Sequence, residues 1–318
     1  MFNHRSSLVL AGLLAISTAP TQAAASDTET SDTVASDTVA SDTETWIHTG
    51  IDRFYMAGAL TRSQGVAYDQ SSDSLVFSWQ YGLQRTTLDY STLKAEPLAI
   101  PAEILAQGGD HIGGIDCYEG LIYAPIEDGD DYLHPYVVLF NAQTLGFTGT
   151  TYLLPHDLQT EGVPWIAIDA ARGVFYTAEW SPIYVINRFS LEDFSEQGQL
   201  TLDTTLKRIQ GAKVYHGALY AASDNDDKSI YRIDLDNGHV SELLRILELP
   251  GVFAQDPFLE TEDLAFYDDG SGSDMHVILI QSVFPKQEES QPPLAVMPSS
   301  SLYHFARVET KRAHPPRH

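Results

Sequence analysis

The chain has 318 residues, 43% of them hydrophobic, with 18 Lys and Arg against 44 Asp and Glu for a formal charge of −26. A surface this acidic is repelled by nucleic acid and by anionic lipid, which excludes phosphate-backbone recognition and favours cations and cationic partners. A single cysteine, Cys117, excludes an intramolecular disulfide, so stability has to come from a packed core.

Residues 1–25 place Arg5 ahead of an apolar run from Leu8 to Ile16 and end on Ala23, Ala24 and Ala25, the order of a secretory signal peptide. The run is shorter than the roughly 20 residues of a spanning helix, and no later segment supplies a transmembrane span. A secreted or periplasmic protein is expected, and the lack of any Asn-x-Ser/Thr sequon fits a bacterial compartment best. Residues 26–45 repeat Ser-Asp-Thr at 26, 31, 36 and 41. So polar a tract buries no apolar surface and reads as a disordered acidic spacer. Residues 310–318 read as a disordered basic tail.

From Trp46 the chain turns to aromatic and β-branched residues punctuated by Gly, Asp and Asn, and a unit recurs. It starts at Gln64-Gly-Val-Ala-Tyr-Asp and returns at Gly113, Pro164, Gln210 and Glu262, a period of about 50 residues that marks a propeller or a similar array. The fourth unit is the clearest, with strands over Ala212–Tyr215, Ala218–Ala222, Ser229–Leu235 and His239–Leu243, and Asp236-Asn237-Gly238 as a hairpin turn. The expected fold is all-β, a β-propeller of four-stranded blades over residues 46–309. Five units are clear. The terminal segments Trp46–Leu60 and Leu302–Val308 both read as strands, and they either complete one blade, giving five, or form a degenerate sixth. A Pro- and Glu-rich insertion is expected over Pro285–Ser300, and helical spacing is confined to Pro101–Gln107 and Leu191–Glu196.

In a propeller the first strand of each blade lines the central channel, and ligands are expected where the loops after that strand meet the loops between the second and third strands. The position before the first strand holds Gln64, Gly113, Pro164, Gln210 and Glu262, and the end of the second strand holds Gln80, Glu127, Glu179, Asp224 and Gln281. Three carboxylates and two amides at equivalent positions would make a ring of oxygen acceptors, the donor type that calcium takes. Glu127, Glu179, Asp224 and Glu262 are the candidate metal ligands. An ordinary solvated rim has the same composition.

His111 is a candidate base or metal ligand at the channel, or a satisfied loop histidine. Asp116 is a candidate base, or pairs with Lys213 across the channel. Trp165 could stack on a ligand or pack in the core. No nucleophile elbow, phosphate loop or dinucleotide fingerprint occurs, and the acidic loops at Glu127–Asp131 and Asp224–Asp227 lack the spacing of an EF-hand.

The segments Gln64-Gly-Val-Ala-Tyr-Asp, Trp165-Ile-Ala-Ile-Asp and Glu262-Asp-Leu-Ala-Phe-Tyr-Asp-Asp-Gly resemble the inner strands of the lactonase and arylesterase propellers (gluconolactonases and paraoxonases) and of the exported esterase-like, phytase-like propellers. That resemblance implies calcium held by Glu, Asn and Asp at the inner ends of blades. Glu262 matches such a position, whereas Gln64 and Gln210 stand where an acid or Asn is expected and Pro164 offers no ligand. The expected function is an exported, monomeric propeller binding a cation or small ligand at the acidic mouth of its channel. A metal-dependent hydrolase of lactones, esters or phosphoesters and a protein-interaction scaffold are the alternatives.

Overall fold

The computed structural model describes residues 44–129, 131–283 and 297–308. The expected signal segment, the spacer up to residue 43, most of the insertion and the basic tail lie outside the described residues.

Strand β1 (Thr45–Phe54) comes first and is followed by one helical turn, α1 (Ala57–Leu60), where a continuous strand to Leu60 was expected. Blade 1 is β2 (Val66–Asp69), β3 (Ser74–Trp79), β4 (Gly82–Thr86) and β5 (Thr92–Glu96), after which α2 (Ala102–Leu105) falls within the helical stretch read from the sequence. Blade 2 has an inner edge in two pieces, β6 (His111–Ile112) and β7 (Asp116–Tyr118), both paired with β8 (Leu121–Glu127), then β9 (Tyr136–Asn141) and β10 (Phe147–Leu153). Blade 3 is β11 (Ala167–Asp169), β12 (Val174–Thr177), β13 (Ile183–Ser190) and β14 (Glu196–Leu206); Leu191–Asp193 is a turn, not a helix. Blade 4 is β15 (Ile209–Tyr215), β16 (Ala218–Ser223), β17 (Ser229–Asp234) and β18 (Val240–Arg245). Blade 5 is β19 (Glu260–Phe266), β20 (Met275–Val283) and β21 (Met297–Val308), with β1 as its outermost strand.

The chain is therefore a five-bladed β-propeller. Its ends share one blade: β1 pairs antiparallel with β21 from Thr45↔Val308 to Phe54↔Ser300, so no sixth blade forms. Glu44 extends that clasp to blade 4, ion-paired with Arg307 Nε at 2.8 Å and accepting from the Tyr220 hydroxyl at 2.6 Å. The expected insertion ends earlier than Ser300, because Met297–Ser300 already belong to β21.

Local chemistry sets the turns. Asp69 ends the first strand of blade 1 and accepts from Ser71 N–H at 3.1 Å, and Asp169 does the same for Arg172 N–H at 3.1 Å while pairing with its guanidinium. Such Asx turns fix the short link from first to second strand. At Asn237-Gly238 the glycine takes φ 76°, a left-handed conformation that closes the hairpin between β17 and β18.

Inner strands are buried and outer strands such as β5 and β10 are exposed, the radial gradient expected of blades stacked around an axis. Apolar packing lies in five seams between neighbouring blades; Trp165, Tyr176, Ala212 and Leu219 fill the one between blades 3 and 4, and Phe54, Phe77, Ala265 and Ile278 the one between blades 5 and 1.

Candidate functional site

The second residue of the repeat decides the shape of the channel. It is Gly65, Gly114, Trp165, Gly211 and Asp263 in blades 1 to 5. A Cβ at Gly211 would stand 2.1 Å from Asp263 Oδ1, and one at Gly114 would stand 2.9 Å from Gln210 O. The glycines thus let inner strands converge on the axis, and the Asp263 side chain takes the room they leave. Blades 2 and 3 even bond directly, with Gly114 N–H donating to Pro164 O at 2.9 Å and Ile166 N–H to Gly114 O at 3.1 Å. The inner strand of blade 2 breaks into β6 and β7 at this point.

Asp263 is fully buried and paired with Lys213, whose Nζ lies 2.8 and 2.9 Å from its two carboxylate oxygens. It also accepts from Val66 N–H (3.1 Å) and Leu264 N–H (2.8 Å), tying blade 5 to blade 1. Burial pushes its carboxyl up to about 6 against the pull of Lys213. Asp116 was read as a candidate base or as a partner of Lys213, and the pair does not form. Instead its carboxylate accepts from Ile168 N–H at 2.9 Å and Cys117 N–H at 2.8 Å, because Asp263 already holds the ammonium.

This plug divides the two loop sets expected to meet. Successive strands run in opposite directions, so the turns after the first strands and the loops after the second strands open on opposite faces. The predicted acceptor positions lie on the second of these faces.

On that face the acceptors have partners. Glu127 accepts from Val163 N–H at 2.6 Å, at the entrance of blade 3, and its other oxygen lies 3.2 Å from His111 Nδ1. His111 Nε2 in turn lies 2.9 Å from the Gln64 side-chain amide, so His111 belongs to a chain of contacts between blades 1 and 2. Glu179 accepts from Thr160 N–H at 2.7 Å and from the Thr160 hydroxyl. Asp224 pairs with Lys228 at 2.5 Å and with Arg208, and accepts from Thr261 N–H of blade 5 at 3.1 Å. Gln281 is buried, donating to Ser301 Oγ and accepting from the Tyr303 hydroxyl. Gln80 is half-buried, and its backbone carbonyl accepts from Ile112 N–H at 2.9 Å.

Glu127 and Asp224 thus act as cross-blade ties. Among the described residues, no three of Glu127, Glu179, Asp224 and Glu262 bring ligand atoms within 4.8 Å of one another. Trp165 is 1% exposed and sits in the seam between blades 3 and 4.

Glu262 differs from its neighbours. It is 1% exposed, and its Oε1 has no hydrogen-bond partner. Burial first, then the charges of Glu260 and Asp224, raise its carboxyl well above the usual range, which favours the form with a bound proton. Because the folded state binds that proton more tightly, its contribution to stability is present at low pH and is lost as pH rises through the folded value. In chelator at pH 8, Glu262→Gln should therefore be more stable than the parent by about 1–3 kcal/mol, a few degrees in Tm, with the gap narrowing towards pH 4. Thermal melts across that pH range check it, and a variant less stable than the parent at pH 8 would contradict it.

The opposite face carries a cavity of about 450 Å³, reached where the first strands end. Tyr68, Tyr118, Tyr215, Phe266 and Tyr267 supply aromatic walls, Tyr215 and Phe266 being stacked with centroids 4.1 Å apart. Asp116, Asp268 and Asp274 supply carboxylates, and Lys213 stands at the floor with its charge engaged by Asp263. Burial raises the Asp116 carboxyl, with Lys213 and two backbone N–H groups opposing it. Cys117 also lines the cavity, its thiol pushed up by burial and by Asp116.

Apart from Asp116 and Lys213, these residues were missed in the sequence. Their signal was the aromatic residues closing the inner strands of blades 1, 2, 4 and 5, at Tyr68-Asp69, Cys117-Tyr118, Val214-Tyr215 and Phe266-Tyr267-Asp268.

No protein-family model matches the chain, and no curated protein matches it. Among solved structures, hydrazine synthase of Kuenenia stuttgartiensis matches with a TM-score of 0.42 at 11% identity, covering 81% of this chain and 67% of that one. A nidogen/laminin complex matches with a TM-score of 0.44 at 16% identity, covering 65% of this chain and 70% of that one. The fold assignment rests on the strand pairing described above. Among the described residues, no helix is long and apolar enough to cross a membrane.

Proposed function

We propose that this chain is an exported β-propeller that binds a small organic cation in its axial cavity. The carrying observation is the cavity of about 450 Å³ walled by five aromatic rings and three carboxylates. That volume falls within the range of small-molecule pockets. Its one ammonium is neutralised by Asp263, so the remaining field is negative, and π faces beside carboxylates attract a soft cation. Export is supported by the order of charge, apolar run and small residues over residues 1–25.

Calorimetric titration with choline, spermidine and glucosamine, with glucose as the neutral control, tests the reading. At least one amine should bind, and the double variant Asp268→Asn/Asp274→Asn should weaken it at least tenfold with the melt unchanged. Silence from all three amines, or an equal affinity in the double variant, would remove the proposal.

A second reading is favoured by the unpartnered Oε1 of Glu262 beside Glu260 and Asp224: a calcium ion on the opposite face, bound by the Glu260–Glu262 pair. Paired carboxylates suit a hard cation. Both oxygens of Asp224 and of Glu127 are already engaged, so those residues would not serve. Millimolar calcium would raise the Tm of the parent and leave that of Glu262→Gln unmoved, since binding to the folded state alone stabilises it. A parent Tm indifferent to calcium excludes this reading.

A further inference from the structure

On the side of blade 5 that faces blade 1, His276 of β20 and His304 of β21 stand directly opposite in the ladder, 0% and 7% exposed. Their Nδ1 atoms are 2.7 Å apart. The other nitrogen of each ring meets a group that can only accept: His276 Nε2 lies 3.0 Å from the Tyr267 carbonyl oxygen, and His304 Nε2 lies 3.0 Å from Asp52 Oδ2. Both Nε2 atoms must therefore carry the hydrogen, which leaves both Nδ1 atoms bare. Two lone pairs facing each other at that distance repel.

A proton or a metal ion between them removes the repulsion. The proton would make an imidazolium at a place where the two rings are 0% and 7% exposed, and burying a charge there is costly. A third donor stands ready for the metal: a carboxylate oxygen of Asp269 lies within 4.8 Å of the ligand nitrogens of both histidines. Asp269 itself is oriented by Ser271, whose N–H and hydroxyl donate to its Oδ1 at 2.7 and 2.6 Å. Hydrogen bonds from Nε2 to a backbone carbonyl and to a carboxylate are the outer contacts that hold and polarise metal-bound imidazoles.

We propose that His276, His304 and Asp269 form a binding site for a divalent transition-metal ion of the zinc class, set in the seam where the last blade closes on the first. Two imidazoles and one carboxylate match zinc or cobalt, whereas calcium and magnesium take all-oxygen sets. Ligand bonds of about 2.0–2.1 Å require the two Nδ1 atoms to separate to roughly 3.3 Å, a shift of a few tenths of an ångström. Water completes the coordination. The ion joins β20, β21 and the turn after β19, and through Asp52 it also fixes β1. Tyr267 stacks on His276, with centroids 3.8 Å apart, and lines the axial cavity, so the site adjoins the cavity wall. The role assigned is structural.

The full chain, stripped with chelator, would be titrated with cobalt(II) and then zinc(II). One equivalent of cobalt should give visible ligand-field absorption that zinc abolishes, and zinc should raise the Tm. Asp269→Asn, at a half-exposed position, and His304→Gln should each weaken binding at least tenfold, while Glu127→Gln should bind as the parent does. X-ray absorption of the zinc-loaded parent should show two imidazole nitrogens together with oxygen, a readout that does not depend on any variant folding. Absence of binding at micromolar protein, affinity unchanged in both site variants, or a scattering shell without imidazole would each overturn the proposal.

Discussion

Lys213→Met should destabilise the folded chain by about 3–5 kcal/mol at pH 7.5, because it strands the Asp263 carboxylate without a counter-charge at the centre of the molecule. Lys213 and Asp263 are 5% and 0% exposed, so the carboxylate is left buried. The effect reaches past the pair: Asp263 also holds Val66 N–H, and through it the joint between blades 5 and 1. Acid should soften the loss, since a carboxyl already pushed up to about 6 takes a proton readily once the ammonium is gone. Urea denaturation at pH 7.5 and pH 5 measures this, with the deficit expected to shrink at the lower pH. Lys213→Met combined with Asp263→Asn should recover part of the loss, since the amide oxygen still accepts from a backbone N–H. Strict additivity of the two changes would mean that the pair is not coupled.

Deleting residues up to Phe54 should have a larger effect. Strand β21 then loses its outer partner along its whole pairing with β1, from Ser300 to Val308, leaving an open edge. Trp46 and Phe54, each 8% exposed, leave the seams they fill, at about 3–5 kcal/mol apiece by analogy with aromatic truncations. Together these losses rival the 5–15 kcal/mol of a typical domain. The truncated chain should show no cooperative melt and should aggregate in size-exclusion chromatography, and a synthetic peptide spanning residues 44–54 should restore a melt when added in excess. A cooperative melt within a few degrees of the full chain would show that β1 is dispensable.

Much of the architecture was legible because each blade repeats one local grammar. The strands of blade 4 fall within a few residues of those read from alternation and from Asn237-Gly238, since a left-handed glycine turn leaves little choice of register. The number of blades was open in the sequence, because pairing between the first and last strands is invisible to any local pattern. For the candidate site, the repeat placed Glu127, Glu179 and Asp224 at equivalent positions but could not reveal their partners. Val163 and Thr261 donate through backbone N–H groups, which leave no mark in side-chain identity.

The plug was partly written in the repeat, where Gly65, Gly114 and Gly211 share a column with Asp263. An acid in a column of glycines signals a side chain entering space that the others vacate. The His276–His304 pair carried no such signal, because the register that sets β20 against β21 is not written in any local pattern.

The clasp between β1 and β21 also sets the order in which the molecule is made. Blades 1 to 4 are runs of neighbouring hairpins and can assemble as the chain emerges, whereas the ladder from Thr45 to Val308 joins the start of the propeller to its end. Closing so long a loop is slow and comes last. The molecule would therefore stay an open, unlatched string of blades until its last strand has been made.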